Sequence, residues 1–254
     1  MPAGMETTTP DGRVQLTTDM IYFRLEQKID LPADSNGWAQ FGTGSGQRDI
    51  FVAGLTVADG PLLALASQSF TWAEIVGTSG GGITWRVYRS GTNAVTLYVF
   101  SQRRPPVSAH MAGCELYEYA GPIVYSSDYP IIRPLGMLTN PAPGTYSGVS
   151  LAGRSVAHVP IKQEVTSAVS FTSAGIGSCY YSSVQGYQIY RRDQWSRGGV
   201  VAWGNSVSGS GNAFFQDSGT FQYQCVPSAS AIPASQQVSS TGGWRSMIID
   251  VTNI

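Results

Sequence analysis

The sequence predicts an all-β chain made of two antiparallel, β-sandwich-like domains. Three observations carry this reading. Charged residues make up 12% of 254 positions and hydrophobic residues 42%, so the charge is roughly half the ~25% usual in a globular chain. Lys28 and Lys162 are the only lysines, which leaves little material for amphipathic helices built on Glu, Lys and Leu at helical spacing. The apolar residues fall instead in short runs, several alternating in period two, separated by the Gly, Pro, Asn and Asp that turns require.

In chain order, the runs that read as strands are Arg13–Thr17, Ile21–Leu25, Ile50–Val57, Leu62–Ser67, Ile83–Tyr88 and Ala94–Phe100, then Cys114–Tyr119, Ile123–Ser126, Ser155–Val159, Ser167–Phe171, Tyr187–Arg191, Val200–Trp203, Phe221–Val226 and Ser246–Val251. The cleanest alternation is Ile83, Trp85 and Val87 on one face. With the turn residues Arg89–Asn93 after it, this run and Ala94–Phe100 read as a hairpin. Many short strands and no helical pattern imply sandwiches or barrels.

Residues 4–25 align without a gap on residues 113–134 at an offset of 109. The identical positions are Gly4 and Gly113, Glu6 and Glu115, Gly12 and Gly121, Asp19 and Asp128, and Arg24 and Arg133. Each copy reads as a strand, a tight turn ending at Gly, a second strand, and a hydroxyl-Asp step into a third strand that ends at Arg. This predicts an internal duplication. The prolines of Arg103-Arg104-Pro105-Pro106 cannot donate to a sheet ladder, and they place the boundary between an N-terminal domain at 1–106 and a C-terminal domain at 107–254. The second domain is longer, and its excess reads as a loop-rich insertion near 172–218.

The balance of charge excludes some functions. A net charge of −1 provides no basic field for nucleic acid. No stretch approaches the length of uninterrupted apolar residues that a transmembrane helix needs, and the opening residues lack the pattern of a cleavable leader. The chain therefore reads as soluble and made in the cytoplasm. Cys114, Cys179 and Cys225 show no Cys-x-x-Cys spacing and read as buried thiols, and His110 and His158 lie too far from carboxylates for a zinc site. No metal, cofactor or catalytic residue is expected. Gly77-Thr78-Ser79-Gly80-Gly81 resembles a nucleophile motif, but a strand follows it and no histidine precedes it, so it reads as a hairpin turn. Gly42–Gly46 reads as a mobile glycine-rich loop. The insertion concentrates Tyr180, Tyr181, Tyr187, Tyr190, Trp195 and Trp203 with Arg191 and Arg192, the residue types enriched at recognition surfaces.

The opening Met-Pro-x-Gly-x-Glu, with Asp-Gly, Thr-Asp and Arg after it, and its second copy Gly-x-Glu-Leu-Tyr-x-x-x-Gly-x-Ile-Val-x-Ser-Ser-Asp-Tyr, resemble small β-rich tail-tip and tail-fibre-associated proteins of long-tailed bacteriophages. The resemblance implies a non-enzymatic virion component at the distal end of the tail. Its partners would be other tail proteins and further copies of itself, a trimer being favoured, and the aromatic cluster would meet a host-surface receptor or glycan. The competing expectation is a carbohydrate-binding module or a polysaccharide-degrading tail hydrolase, for which Asp193 is the carboxylate to inspect.

Overall fold

The computed structural model describes residues 6–8, 14–17, 22–41, 44–106, 115–117, 123–139, 144–145, 151–162, 165–178, 185–218, 224–226, 236–240 and 245–254. Among these residues the chain is almost entirely strand, with one 3-10 turn at Val57–Asp59. The strands are Glu6–Thr8 (β1), Val14–Thr17 (β2), Arg24–Leu31 (β3), Ala39–Gln40 (β4), Ser45–Ala53 (β5), Leu62–Gly77 (β6), Gly82–Ser90 (β7), Val95–Ser101 (β8), Glu115–Tyr117 (β9) and Ile123–Ser126 (β10). They continue as Arg133–Thr139 (β11), Gly144–Thr145 (β12), Val156–Lys162 (β13), Val165–Ser178 (β14), Gln185–Trp203 (β15), Ser206–Ser218 (β16), Gln224–Val226 (β17), Gln236–Ser240 (β18) and Arg245–Asp250 (β19).

β6 organises the molecule because it belongs to two layers. Its first part pairs with β8, from Leu62 opposite Phe100 to Ala66 opposite Thr96. Its last part pairs with β7, from Thr71 opposite Arg89 to Gly77 opposite Thr84. Between them, serine hydroxyls take over from the ladder. Ser67 donates to the Ala94 carbonyl at 2.7 Å, the Phe70 amide donates to Ser90 Oγ at 3.1 Å, and the Ser69 amide donates to Ser67 Oγ at 3.0 Å. Buried backbone groups need such partners wherever a ladder is interrupted.

The expected hairpin between 83–88 and 94–100 does not form. β7 pairs with β5 and β6, while β8 pairs with β3 and β6. Period-two alternation specifies the faces of a strand and not its neighbour, and here residues 91–94 carry the chain from one layer to the other. Gly91 turns this corner at a φ of 75°, a backbone region open to glycine. The Gly77–Gly81 segment does form a turn, with Gly80 and Gly81 at φ of 71° and 75°.

Alternation then fills three cores. Leu63 and Leu65 of β6 meet Val95, Leu97 and Val99 of β8 and Ile83, Trp85 and Val87 of β7, so the first half is a two-layer sandwich. Ala64 and Ala66 face the opposite way, toward Tyr98, Phe100, Ala157, Val159 and Ile249. Leu138, Val156 and Ile248 pack with Val200, Ala202 and Val207 in the second half. Each large apolar side chain sealed in this way contributes about 1.5–3 kcal/mol relative to exposure.

One layer runs in the order β11-β19-β13-β6-β8-β3, and β13 joins β6 at His158 opposite Leu65. Its two end strands then meet. Arg24 bridges Ile131, the Leu25 amide donates to the Pro130 carbonyl at 2.7 Å, and the Ile132 amide donates to the Phe23 carbonyl at 2.8 Å. The sheet thus curls into a barrel-like wall around the core that holds Phe23, Leu25, Ile132, Phe100 and Ile249.

Matching registers occur in the two halves. β1 pairs with β2 at Glu6–Thr17, Thr7–Leu16 and Thr8–Val14, and β9 pairs with β10 at Glu115–Ser126, Leu116–Tyr125 and Tyr117–Ile123. Gln15 and Val124, which correspond in the sequence alignment, are the residues passed over. The likeness continues in the next strand. β3 pairs with β8 and β11 pairs with β19 in the same steps, with a shift past Glu26 in one and past Leu135 in the other.

The Ser and Gly content of 172–218 predicts a loop-rich stretch, but its described residues are almost all strand. β14, β15 and β16 are long strands, and β15 pairs with β14 over 185–197 and with β16 over 193–203. Small and hydroxylated residues favour loops only in isolation, and a partner on each side supplies what propensity lacks.

His158 lies at the joint between the layers, fully buried. Its Nε2 is 2.8 Å from Thr71 Oγ1 and its Nδ1 is 2.8 Å from Ser246 Oγ. Ser246 Oγ also lies 2.9 Å from the Val159 carbonyl and Thr71 Oγ1 lies 3.2 Å from the Val200 carbonyl, so the neutral ring donates to one hydroxyl and accepts from the other. Burial pushes the imidazole pKa down to about 3. An unfolded histidine titrates near 6.5, so stability is complete above that pH and erodes as pH falls from about 6.5 toward 3. Urea denaturation should find the protein about 2 kcal/mol weaker at pH 5 than at pH 7, and His158→Gln should be less stable at pH 7 but lack this slope. Carboxylates act lower. Burial raises Asp250, yet hydrogen bonds from Thr252 and the charges of Arg133 and Arg154 hold it below the usual range, so its contribution is lost only below about pH 4. A flat profile between pH 7 and 5 would contradict the assignment.

Candidate functional site

The aromatic and arginine positions predicted for recognition converge on β15. Tyr187, Tyr190, Arg191 and Arg192 are placed by backbone register, opposite Ile176, Thr172, Phe171 and Ser170 of β14. Tyr180 and Tyr181 lie outside the described residues, as do Gly4, Gly12, Asp19, Gly113, Gly121 and His110. Trp195 and Trp203 are both 44% exposed. They occupy odd positions of one strand, about 26 Å apart along it, while Val200 and Ala202 at even positions are sealed in the core. Arg197 and Gly199 share the odd parity but are covered by Phe41, Tyr88 and Phe214, so the tryptophans are exposed at the two ends of a face whose middle is packed.

Between them, Arg197 is held over aromatic rings, with Cζ 5.3 Å from the Phe41 centroid and 5.4 Å from that of Tyr88. Glu74 joins the group, 3.7 Å from Arg197 Nη1 and accepting the Tyr88 hydroxyl proton at 2.5 Å. Burial, and then the bond to Glu74, push the Tyr88 pKa up to about 12, so the phenol remains a neutral donor at ordinary pH. Trp72 and Phe214 complete the packing. The exposed indoles of Trp195 and Trp203 flank this cluster along β15, and exposed aromatic rings suit binding of an uncharged or weakly charged surface.

Other candidates fall elsewhere. His158 with Ser246 and Thr71 pairs hydroxyls with an imidazole, but all three are fully buried, so a substrate has no route to them. Asp193 sits in β15 opposite Val169 and Ser218. The charged repeat positions serve the fold. Arg24 pairs with Glu26 at 3.0 Å, Arg133 reaches Asp250 at 3.6 Å and the Thr252 carbonyl at 2.6 Å, and Glu115 accepts from Tyr117 at 2.6 Å. The Asp128 amide donates to Ser126 Oγ at 3.3 Å. Among the described residues no group of three or more His, Cys, Asp or Glu could hold a metal ion, and no helix is long and apolar enough to cross a membrane. No family model, curated protein or solved structure matches the chain.

Glu74, Phe41, Tyr88 and Phe214 were not singled out in the sequence, because they meet Arg197 only through long-range pairing. Gly199 makes that meeting close: an added Cβ would lie 2.7 Å from Phe214 Cε2 and 2.8 Å from Ala213 Cβ. Gly199→Ala should therefore cost about 1–3 kcal/mol through overpacking, and Phe214→Ala about 3–5 kcal/mol through the cavity it leaves. Chemical denaturation of both variants and of the double variant should give less than the sum, since the two sites touch.

Proposed function

We propose that the chain is a structural protein of a tailed-bacteriophage virion, at the tail tip or tail fibre, and that it contributes to host receptor binding without catalysis. The observation that carries this reading is the pair of exposed indoles on β15, Trp195 and Trp203, on a strand anchored by Val200 and Ala202. Rigid aromatic side chains bind at low entropic cost, and a charge-poor surface suits hydrogen bonding and stacking on a glycan. The resemblance of residues 4–25 and 113–134 to tail-tip proteins supports the location. The shared registers of the two halves support an internal duplication within it. In this reading the 1–106 half anchors to neighbouring tail proteins and the 107–254 half faces outward, in a homo-oligomer for which three-fold symmetry is favoured.

The exposed tryptophans also favour a second reading, a carbohydrate-binding module or glycan hydrolase. Virions carrying Trp195→Ala and Trp203→Ala should assemble normally and adsorb to host cells at least about tenfold less, the loss of one anchoring contact of ~1.4 kcal/mol. Gold-labelled antibody should decorate the tail end, and incubation with host-surface glycans should release no reducing ends. Unchanged adsorption would make the chain purely architectural, unlabelled tails would remove it from the virion, and released reducing ends lost in Asp193→Asn would make it a hydrolase.

A further inference from the structure

At the far side of the first sandwich, the loop before β4 folds over the end of β7 and encloses a buried cation. Arg89 is 1% exposed. Its Nη1 donates to the carbonyls of Pro32, Thr92 and Asn93 at 3.2, 3.3 and 2.8 Å, and its Nη2 donates to the Asp34 carbonyl. The guanidinium lies against the Trp38 ring, 3.9 Å from its centroid. No carboxylate stands within ion-pair distance of it among the described residues. The Asp34 carboxyl is turned to the Asn36 amide at 3.0 Å, and Arg48, bonded to the Asn36 carbonyl on the same loop, adds a second positive charge nearby. Two buried donors here lack any partner, Arg89 Nε and Trp38 Nε1. Orphaned donors of this kind are rare in folded proteins and call for a ligand, ion or water.

Both residues line a cavity of about 320 Å³, within the size range of small-molecule sites. Its remaining polar lining is uncharged: Ser35, Gln40, Ser45 and Thr92. Glycine keeps it open, for a Cβ at Gly46 would come within 3.4 Å of Trp38. The chemistry is that of an aromatic wall, hydroxyl and amide groups, and one cation.

We propose that this cavity binds an acidic monosaccharide unit, its carboxylate drawn by Arg89 and Trp38 Nε1 and its hydroxyls met by Ser35, Gln40, Ser45 and Thr92. A monoanion fits better than a dianion. Four carbonyl oxygens already direct their negative ends at the guanidinium, so the field that remains is less than one full charge, and a phosphate would be opposed by those oxygens. The site is distinct from the β15 face, and it stands whether or not the chain belongs to a virion.

The test is a titration of the full chain with sodium glucuronate, followed at the indole N–H resonances in ¹H–¹⁵N spectra, with the Trp38 signal identified by its absence in Trp38→Phe. Glucuronate should shift the Trp38 indole resonance to saturation, and glucose should bind at least about tenfold more weakly, the ~1.4 kcal/mol of one charge-assisted contact. Inorganic phosphate should not displace glucuronate. Arg89→Lys keeps the charge but loses the planar fork and should weaken binding about tenfold. Should that variant fail to fold, the wild-type comparison of glucuronate with glucose decides alone. An unmoved Trp38 resonance, equal binding of glucose, or displacement by phosphate would each overturn the proposal.

Discussion

A strand that serves two layers must change hydrogen-bonding partners in mid-course, and in this protein everything is arranged around the place where β6 does so. At Ser67–Phe70 the ladder to β8 has ended and the ladder to β7 has not begun. Ser67 and Ser69 are nonetheless buried, so the amides and carbonyls there need uncharged partners that fit in a small space. Hydroxyls meet that need where lysine or glutamate would bring a desolvation cost. Thr71 extends the arrangement across the joint to His158, and His158 passes it to Ser246 on β19. The shortage of charge in this chain and its wealth of serine and threonine are thus two sides of one demand, because its polar joints lie inside.

The fold class was legible because period two and turn residues are local signals. Strands do occur at the runs 62–67, 83–88, 94–100 and 246–251, with ends that differ by a residue or more. Partner choice was not legible. Nothing in Ile83–Tyr88 or Ala94–Phe100 says that the two runs pair with successive lengths of β6, since that depends on the change of partner at Ser67–Phe70. The reading of 172–218 as loop erred for a related reason, since a Ser- and Gly-rich strand is stabilised by what lies beside it. For the candidate site, composition led to Trp195 and Trp203. The cluster of Arg197, Phe41, Tyr88 and Glu74 that lies between them along the strand is drawn from four separate segments and has no signature along the chain.

The repeated hairpins show a further layer of order. Two segments that share few residues share their pairing step by step, including the residue passed over in each. Face alternation leaves few alternative registers once one side of a strand is buried. Arg24 and Arg133 then find different acids, Glu26 on its own strand in one case and Asp250 on the neighbouring strand in the other. The pairing registers match while the side-chain partners differ.

The closure of the barrel-like wall has a mechanical side. Ladders such as β3 on β8 or β11 on β19 hold six or seven residues in register, whereas the seam between the two end strands is a single bridge with two backbone bonds, at Phe23–Leu25 and Pro130–Ile132. Under load, a structure yields along its shortest run of bonds, and local opening follows the same rule. The wall therefore has two short joins, this seam and the β6–β13 joint, where only His158 is paired with Leu65, and local opening starts at these and not along the long ladders.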